Sequence, residues 1–193
     1  MDNHHHFILH KPYGFLSQFI RNETTRKNKK LLGELGIFPE GTMSVGRLDQ
    51  DSEGLLFLTT DGKVSYAVCS NKQVEKEYYV QVDGEITKEA IELFKNGVEI
   101  SVKKEKYLTL PCKAKILDPK PVFSARGKKI RDERHGPTSW ASITIKEGKF
   151  RQVRKMTAAV GFPTLRLIRV RIGNITLGEL EAGEHIEVEG CDF

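Results

Sequence analysis

The residues best suited to chemistry lie in "VGRLDQDSEGLLFLTTDG", residues 45–62. Asp49, Asp51 and Glu53 alternate there, and Gly54 follows. Alternating carboxylates closed by a glycine are how a calcium-binding loop begins. Such a loop also needs a bidentate glutamate at its twelfth position and a helix on each side. Counted from Asp49, that position is Thr60, and the intervening "GLLFLTT" reads as a strand. The calcium reading fails on both counts. Two readings stay open. In one, Asp49, Asp51 and Ser52 cap backbone groups of a polar turn. In the other, Arg47 and Asp49, two positions apart in an extended segment, share one side of the chain. A guanidinium beside a carboxylate keeps it ionised. An ionised carboxylate can serve as a nucleophile or a general base.

A second set of polar residues lies further along. The periodicity predicts a helix over Phe150–Val160, with Phe150, Val153, Met156, Thr157 and Val160 facing inward. Arg151 and Lys155 fall on its outer side. Arg154 falls at the margin of the apolar stripe, next to Phe150, where a guanidinium must find a partner, overlie a cleft or extend its head into water. On a strand predicted over Leu165–Ile172, Arg166 shares a face with Ile168, Val170 and Ile172, and Arg169 and Arg171 lie on the other. These arginines suit phosphate contacts or form a basic solvent edge.

The elements that must position these groups are mostly strands. They are expected at Phe7–His10, Leu55–Thr60, Lys76–Gly84, around Tyr107–Ile116, at Ser139–Lys146, Leu165–Ile172 and His185–Val188. Helices are expected at Lys63–Ser70 and at Thr87–Asn96, the latter capped by Thr87 and ended by Gly97. A single helical turn fits Leu31–Leu35. Strands outnumber helices without regular alternation, so the fold class is α+β with a mixed or antiparallel central sheet flanked by helices.

The chain has 193 residues and a formal net charge of +5. That surplus suits a polyanionic partner. Cys69, Cys112 and Cys191 are odd in number and widely spaced, which fits a reducing cytoplasm and neither a disulfide framework nor a cysteine zinc site. The opening "MDNHHH" reads as a flexible tail or tag over residues 1–6, with a catalytic domain over 7–193. No apolar run approaches a membrane span, so no membrane is expected.

Four blocks, in order, resemble the RsuA family of pseudouridine synthases. They are "VGRLDQDSEGLLFLTTDG", the strand "KEYYVQVDG", the helix–strand block "EGKFRQVRKMTAAVGFPTLRLIRVRIG" and the closing "LEAGEHIEV". "KPYGFLSQF" and "IRDERHGPTSW" are most similar to the E-type large-subunit branch, which lacks the S4-type RNA-binding domain. None is expected here either, since the first catalytic strand begins near Phe7. The resemblance implies a pseudouridine synthase fold with an active-site cleft. It also implies isomerisation of one uridine of ribosomal RNA, 23S by branch and with 16S or transfer RNA as alternatives. A further alternative is an RNA-binding assembly factor that has lost catalysis. No cofactor and no metal are implied, and nothing demands more than a monomer.

By the same resemblance Asp49 is the essential aspartate, and Arg47 precedes it in the motif. Tyr78 packs on the uracil, and Arg154 orients Asp49 and holds it ionised. Phe150 departs from the family pattern, which usually has Asn there. RNA is expected to be gripped by the arm holding Arg21, Arg26 and Lys27, and by the loop holding Arg126, Lys128, Lys129 and Arg131. Arg151 and Arg166 are expected to add to it.

Overall fold

The structure, a computed structural model, describes residues 4–21, 28–71, 73–130 and 133–189. The chain packs as two compact units, each assembled from separate stretches. The first comprises Met1–Val74, Ser124–Lys128 and Arg169–Phe193; the second comprises Glu75–Phe123 and Lys129–Ile168.

In the first unit, β1 (His6–Lys11) is followed by the short parallel pair β2 (Phe15–Leu16) and β3 (Lys30–Leu31). Then come β4 (Met43–Val45), β5 (Glu53–Thr59) and the helix α1 (Gly62–Ser70). Every residue of β5 is buried, which is why its centre, residues 55–58, is a continuous apolar run and does not alternate. β1 and β4 both pair with it antiparallel, Ile8 opposite Phe57 and Val45 opposite Phe57. Val45, Phe57 and Val68 form a buried cluster here, supported by Ile8 and Val64. Asp61 starts α1 by accepting the Lys63 N–H at 2.7 Å.

In the second unit, β6 (Lys76–Asp83) leads to α2 (Lys88–Asn96) and the hairpin β7 (Glu99–Val102) and β8 (Glu105–Leu108). β9 (Lys113–Ile116), β10 (Thr138–Ile145) and α3 (Gln152–Ala159) follow. β10 pairs antiparallel with β6 on one side and β9 on the other. α2 buries Ala90, Ile91 and Phe94 against a core that includes Val80, Val82, Ile143 and Met156. Thr87 caps it and Gly97 ends it at φ +97°; a side chain at Gly97 would meet the Thr109 carbonyl at 2.5 Å.

β11 (Thr164–Ile172) serves both units, its residues 164–168 in the second and 169–172 in the first. In the first unit its end lies beside β5 and pairs with β12 (Ile175–Thr176), while β13 (His185–Glu187) pairs with β1. The ladders of β1 with β13 and β5, of β4 with β5, of β10 with β6 and β9, of β11 with β12 and of β7 with β8 are antiparallel, β2–β3 is parallel, and the class is α+β as expected.

Several expectations need correction. The strand expected around Tyr107–Ile116 is two strands, β8 and β9, paired with different partners, β7 and β10. Residues 1–6 are not wholly a tail. His6 opens β1 opposite Thr59, and the His5 ring meets the Glu187 carboxylate at 2.6 Å. α3 starts at Gln152, two residues later than its periodicity suggests. Arg151, just before it, is left-handed at φ +53°, so Phe150 lies off the helix and is 70% exposed. The buried positions of α3 are Gln152, Val153, Met156 and Thr157.

Candidate active site

Asp49 is half-buried in the loop between β4 and β5, and both of its neighbours are pinned. Leu48 is buried, and its N–H donates to Ser17 Oγ at 2.9 Å. The Ser17 hydroxyl in turn donates to the Leu48 carbonyl at 2.8 Å. One buried hydroxyl thus satisfies both backbone groups of the residue before Asp49. On the other side, the Gly14 N–H donates to the Gln50 carbonyl at 2.8 Å, and Gln50 Nε2 returns a bond to the Gly14 carbonyl at 3.0 Å. The Ser52 N–H closes the turn on the Asp49 carbonyl at 3.0 Å. Gly46, at φ +69°, lets the chain leave β4 into this loop.

The floor of this region is charged. Lys11 is fully buried, and its Nζ donates to the carbonyls of Phe15 at 2.8 Å and Pro12 at 3.1 Å. Burial pulls its pKa down to about 7, against the opposing pull of Glu53, Asp51 and Asp49 and with a small push from Arg169. Glu53 is 1% exposed and faces Arg126 Nε at 3.7 Å. The Arg126 guanidinium also lies 4.0 Å from the centre of the Tyr13 ring. Arg169, 4% exposed, donates from Nε to the Leu55 carbonyl at 2.8 Å.

Arg47 is exposed and makes no ion pair among the described residues, so the shared Arg47–Asp49 wall is not a salt bridge. In the second unit, Tyr78 is half-buried on β6 opposite Ile143, at the end of the apolar row that continues through Val80 and Val82. Arg154 is half-buried on α3, and its carbonyl accepts from the Thr157 hydroxyl at 3.1 Å. Gln152 fixes the turn that leads to it. Its Nε2 donates to Glu147 at 2.8 Å, and its Oε1 accepts the Lys149 N–H at 3.1 Å.

The expected RNA-binding residues fall into three groups. Lys128 and Lys129 are exposed, Arg151 is half-buried, and Arg21 is exposed with Nη2 donating to the Lys29 carbonyl at 3.2 Å. Arg126 and Arg166 are not on open surface. The Arg126 side chain is 10% exposed, held by Tyr13 and Glu53. Arg166 is 6% exposed, with its guanidinium 5.7 Å from the Phe123 ring centre. The solvent-edge reading of this strand is corrected accordingly: both faces of β11 are covered at Arg166–Arg169. Arg26, Lys27 and Arg131 lie outside the described residues.

Ser17, Gly14, Lys11 and Gln152 escaped the sequence reading. Only "KPYGFLSQF" pointed near the first three, and it did so as a branch resemblance without roles.

Residues 5–159 match the family model described as RNA pseudouridylate synthase. The chain is 40% identical over 190 residues to the ribosomal large subunit pseudouridine synthase E of Vibrio parahaemolyticus, covering 98% of this chain and 76% of that one. It is 41% identical over 174 residues to the protein of the same name from Xanthomonas axonopodis pv. citri, covering 90% and 88%. Among solved structures, it resembles a crystal structure of a pseudouridylate synthase with a TM-score of 0.76 and 28% identity, covering 98% of this chain and 72% of that one. The chain belongs to the RNA pseudouridylate synthase family.

Proposed function

We propose that this chain isomerises one uridine of 23S ribosomal RNA to pseudouridine, with Asp49 as the catalytic carboxylate. The observation that carries the reading is the mounting of Asp49. It stands half-buried in the GRLD motif of a family member, in a turn tied down by Ser17 before it and Gly14 after it. Such fixing is what a reacting group needs, because an attack geometry lost by thermal motion costs rate. The 23S assignment follows the names of the relatives at about 40% identity.

The reaction breaks the bond from N1 to C1′ and rejoins the ribose to C5. Every atom of the uridine is kept, so the balance asks for no oxidant, reductant or nucleotide triphosphate. A stacked base cannot be turned over in place, so the uridine is first flipped out, at a cost of a few kcal/mol. Asp49 then acts in its ionised form, either on C1′ as nucleophile or on the 2′ proton as base. Leu48 beside it is buried, which limits the water that reaches that carboxylate. Tyr78 and Arg154 serve the same reaction in this reading, as the family resemblance implies. Exposed Lys128 and Lys129 meet phosphates. The enzyme works as a monomer in the cytoplasm, where its ribosomal substrate is made. Among the described residues no helix is long and apolar enough to cross a membrane.

The test of the target is carbodiimide mapping of pseudouridines in ribosomal RNA from cells with and without the gene. One 23S position should lose its stop in the deletion and regain it on complementation. A lost stop in 16S or transfer RNA instead would overturn the assignment to 23S.

A further inference from the structure

Among the described residues, three that are not glycine have positive φ: Lys103 at 52°, Lys104 at 71° and Arg151 at 53°. All three are cationic, and all three lie in one region of the second unit. Lys103 and Lys104 form the whole turn of the β7–β8 hairpin, because Val102 faces Glu105 across it. A two-residue turn with both residues left-handed is the I′ type, for which Asn-Gly is the low-strain sequence. The hairpin could close without lysines. It holds two there, both exposed, in a backbone conformation that disfavours them.

Lys155 joins this hairpin to the start of α3. Its Nζ donates to the Ser101 carbonyl on β7 at 2.7 Å and stands 5.4 Å from the centre of the Phe150 ring. Phe150 is 70% exposed, although α3 buries Val153 and Met156 close by. Left-handed Arg151 is what turns the ring off the helix. Lys149 lies over the Tyr107 ring at 4.6 Å. Of the nearby acids, Glu99 pairs with Lys106 at 3.0 Å. Glu147 accepts from the Tyr107 hydroxyl, the Leu110 N–H and Gln152. Lys103, Lys104, Lys106, Lys149, Arg151 and Lys155 outnumber Glu99, Glu105 and Glu147, so the patch is net positive around one exposed aromatic ring.

We propose that Lys103, Lys104, Arg151 and Phe150 form an RNA contact in which the cations meet backbone phosphates and Phe150 stacks on an unpaired base. Strained cations around an open aromatic ring are complementary to single-stranded RNA in both charge and shape. The proposal rests on the reading of the chain as an enzyme of ribosomal RNA.

The test compares two variants with wild type in filter binding to a 23S rRNA transcript over a range of salt. K103N/K104G keeps the I′ turn and gives it the favoured sequence, so its melting temperature should equal or exceed that of wild type. Its binding should weaken, and the slope of log K against log salt should become shallower by about 1.5, the loss of two phosphate contacts. Phe150→Ala should bind about tenfold more weakly at fixed salt with the slope unchanged, and Phe150→Trp should restore binding. Wild-type affinity and slope in both variants would overturn the proposal and leave the patch to a protein partner. Turnover of the transcript by wild type separates the two claims. Without it the functional reading itself fails, and with it a negative result counts against this contact alone.

Discussion

At the scale of single residues, Asp49 is held through its neighbours. Ser17→Ala would leave the Leu48 N–H and carbonyl buried without their shared partner, a cost of about 1–3 kcal/mol. The expected outcome is a lower melting temperature together with a fall in kcat that exceeds any change in KM, read by steady-state kinetics below the melting range. An unchanged kcat would show that the turn is fixed without Ser17. Lys11 makes a pH prediction. Its folded pKa is about 7, against 10.5 for the free side chain, so between those values the unfolded chain binds more protons than the folded one. Stability conferred at this site therefore rises with pH from about 7 towards 10.5 and is lost on going down through 7. The neutral amine keeps two N–H donors for the carbonyls of Pro12 and Phe15. Urea unfolding of wild type and Lys11→Met across that range should show their stability difference moving in favour of wild type as pH rises. A pH-independent difference would contradict this.

At the scale of elements, the segment Ser124–Lys128 separates an anchor from contacts. Arg126 is committed to Tyr13 and Glu53, whereas Lys128 and its neighbour Lys129 are open. Lys128→Gln with Lys129→Gln should reduce the salt slope of RNA binding by about 1.5. Arg126→Gln should leave that slope unchanged and lower stability by roughly 2 kcal/mol, because it removes the guanidinium that faces buried Glu53 and lies over the Tyr13 ring. A slope change in Arg126→Gln would return it to the RNA-binding set. The elements also show what the sequence could reveal. β5 and α2 were legible because burial on both faces, or on one stripe, writes itself directly into residue order. The start of α3 was not, since a left-handed Arg151 interrupts the helix without interrupting the apolar spacing. β4 and β7 are too short to carry a period. Ser17 was invisible for a different reason. Its partner lies 31 residues away, and nothing in a serine's local surroundings announces a long-range bond.

At the scale of the whole molecule, the family was readable because its motifs are local and ordered along the chain. The two-unit packing was not, because each unit draws on separate stretches and no boundary in composition marks them. In the proposed reaction one carboxylate of the three in "DQDSEG" does the chemistry. All three contribute to the charge around Lys11, but Glu53 is buried against Arg126, while Asp49 stands half-buried between two pinned neighbours. The most direct test is release of tritium from ribosomal RNA carrying 5-³H-uridine. Wild type should release it, Asp51→Asn should retain most of that rate, and Asp49→Asn should lose at least about 1,000-fold, within the range for removing an acid–base group. Release by Asp49→Asn at the wild-type rate would show that Asp49 is not the catalytic carboxylate.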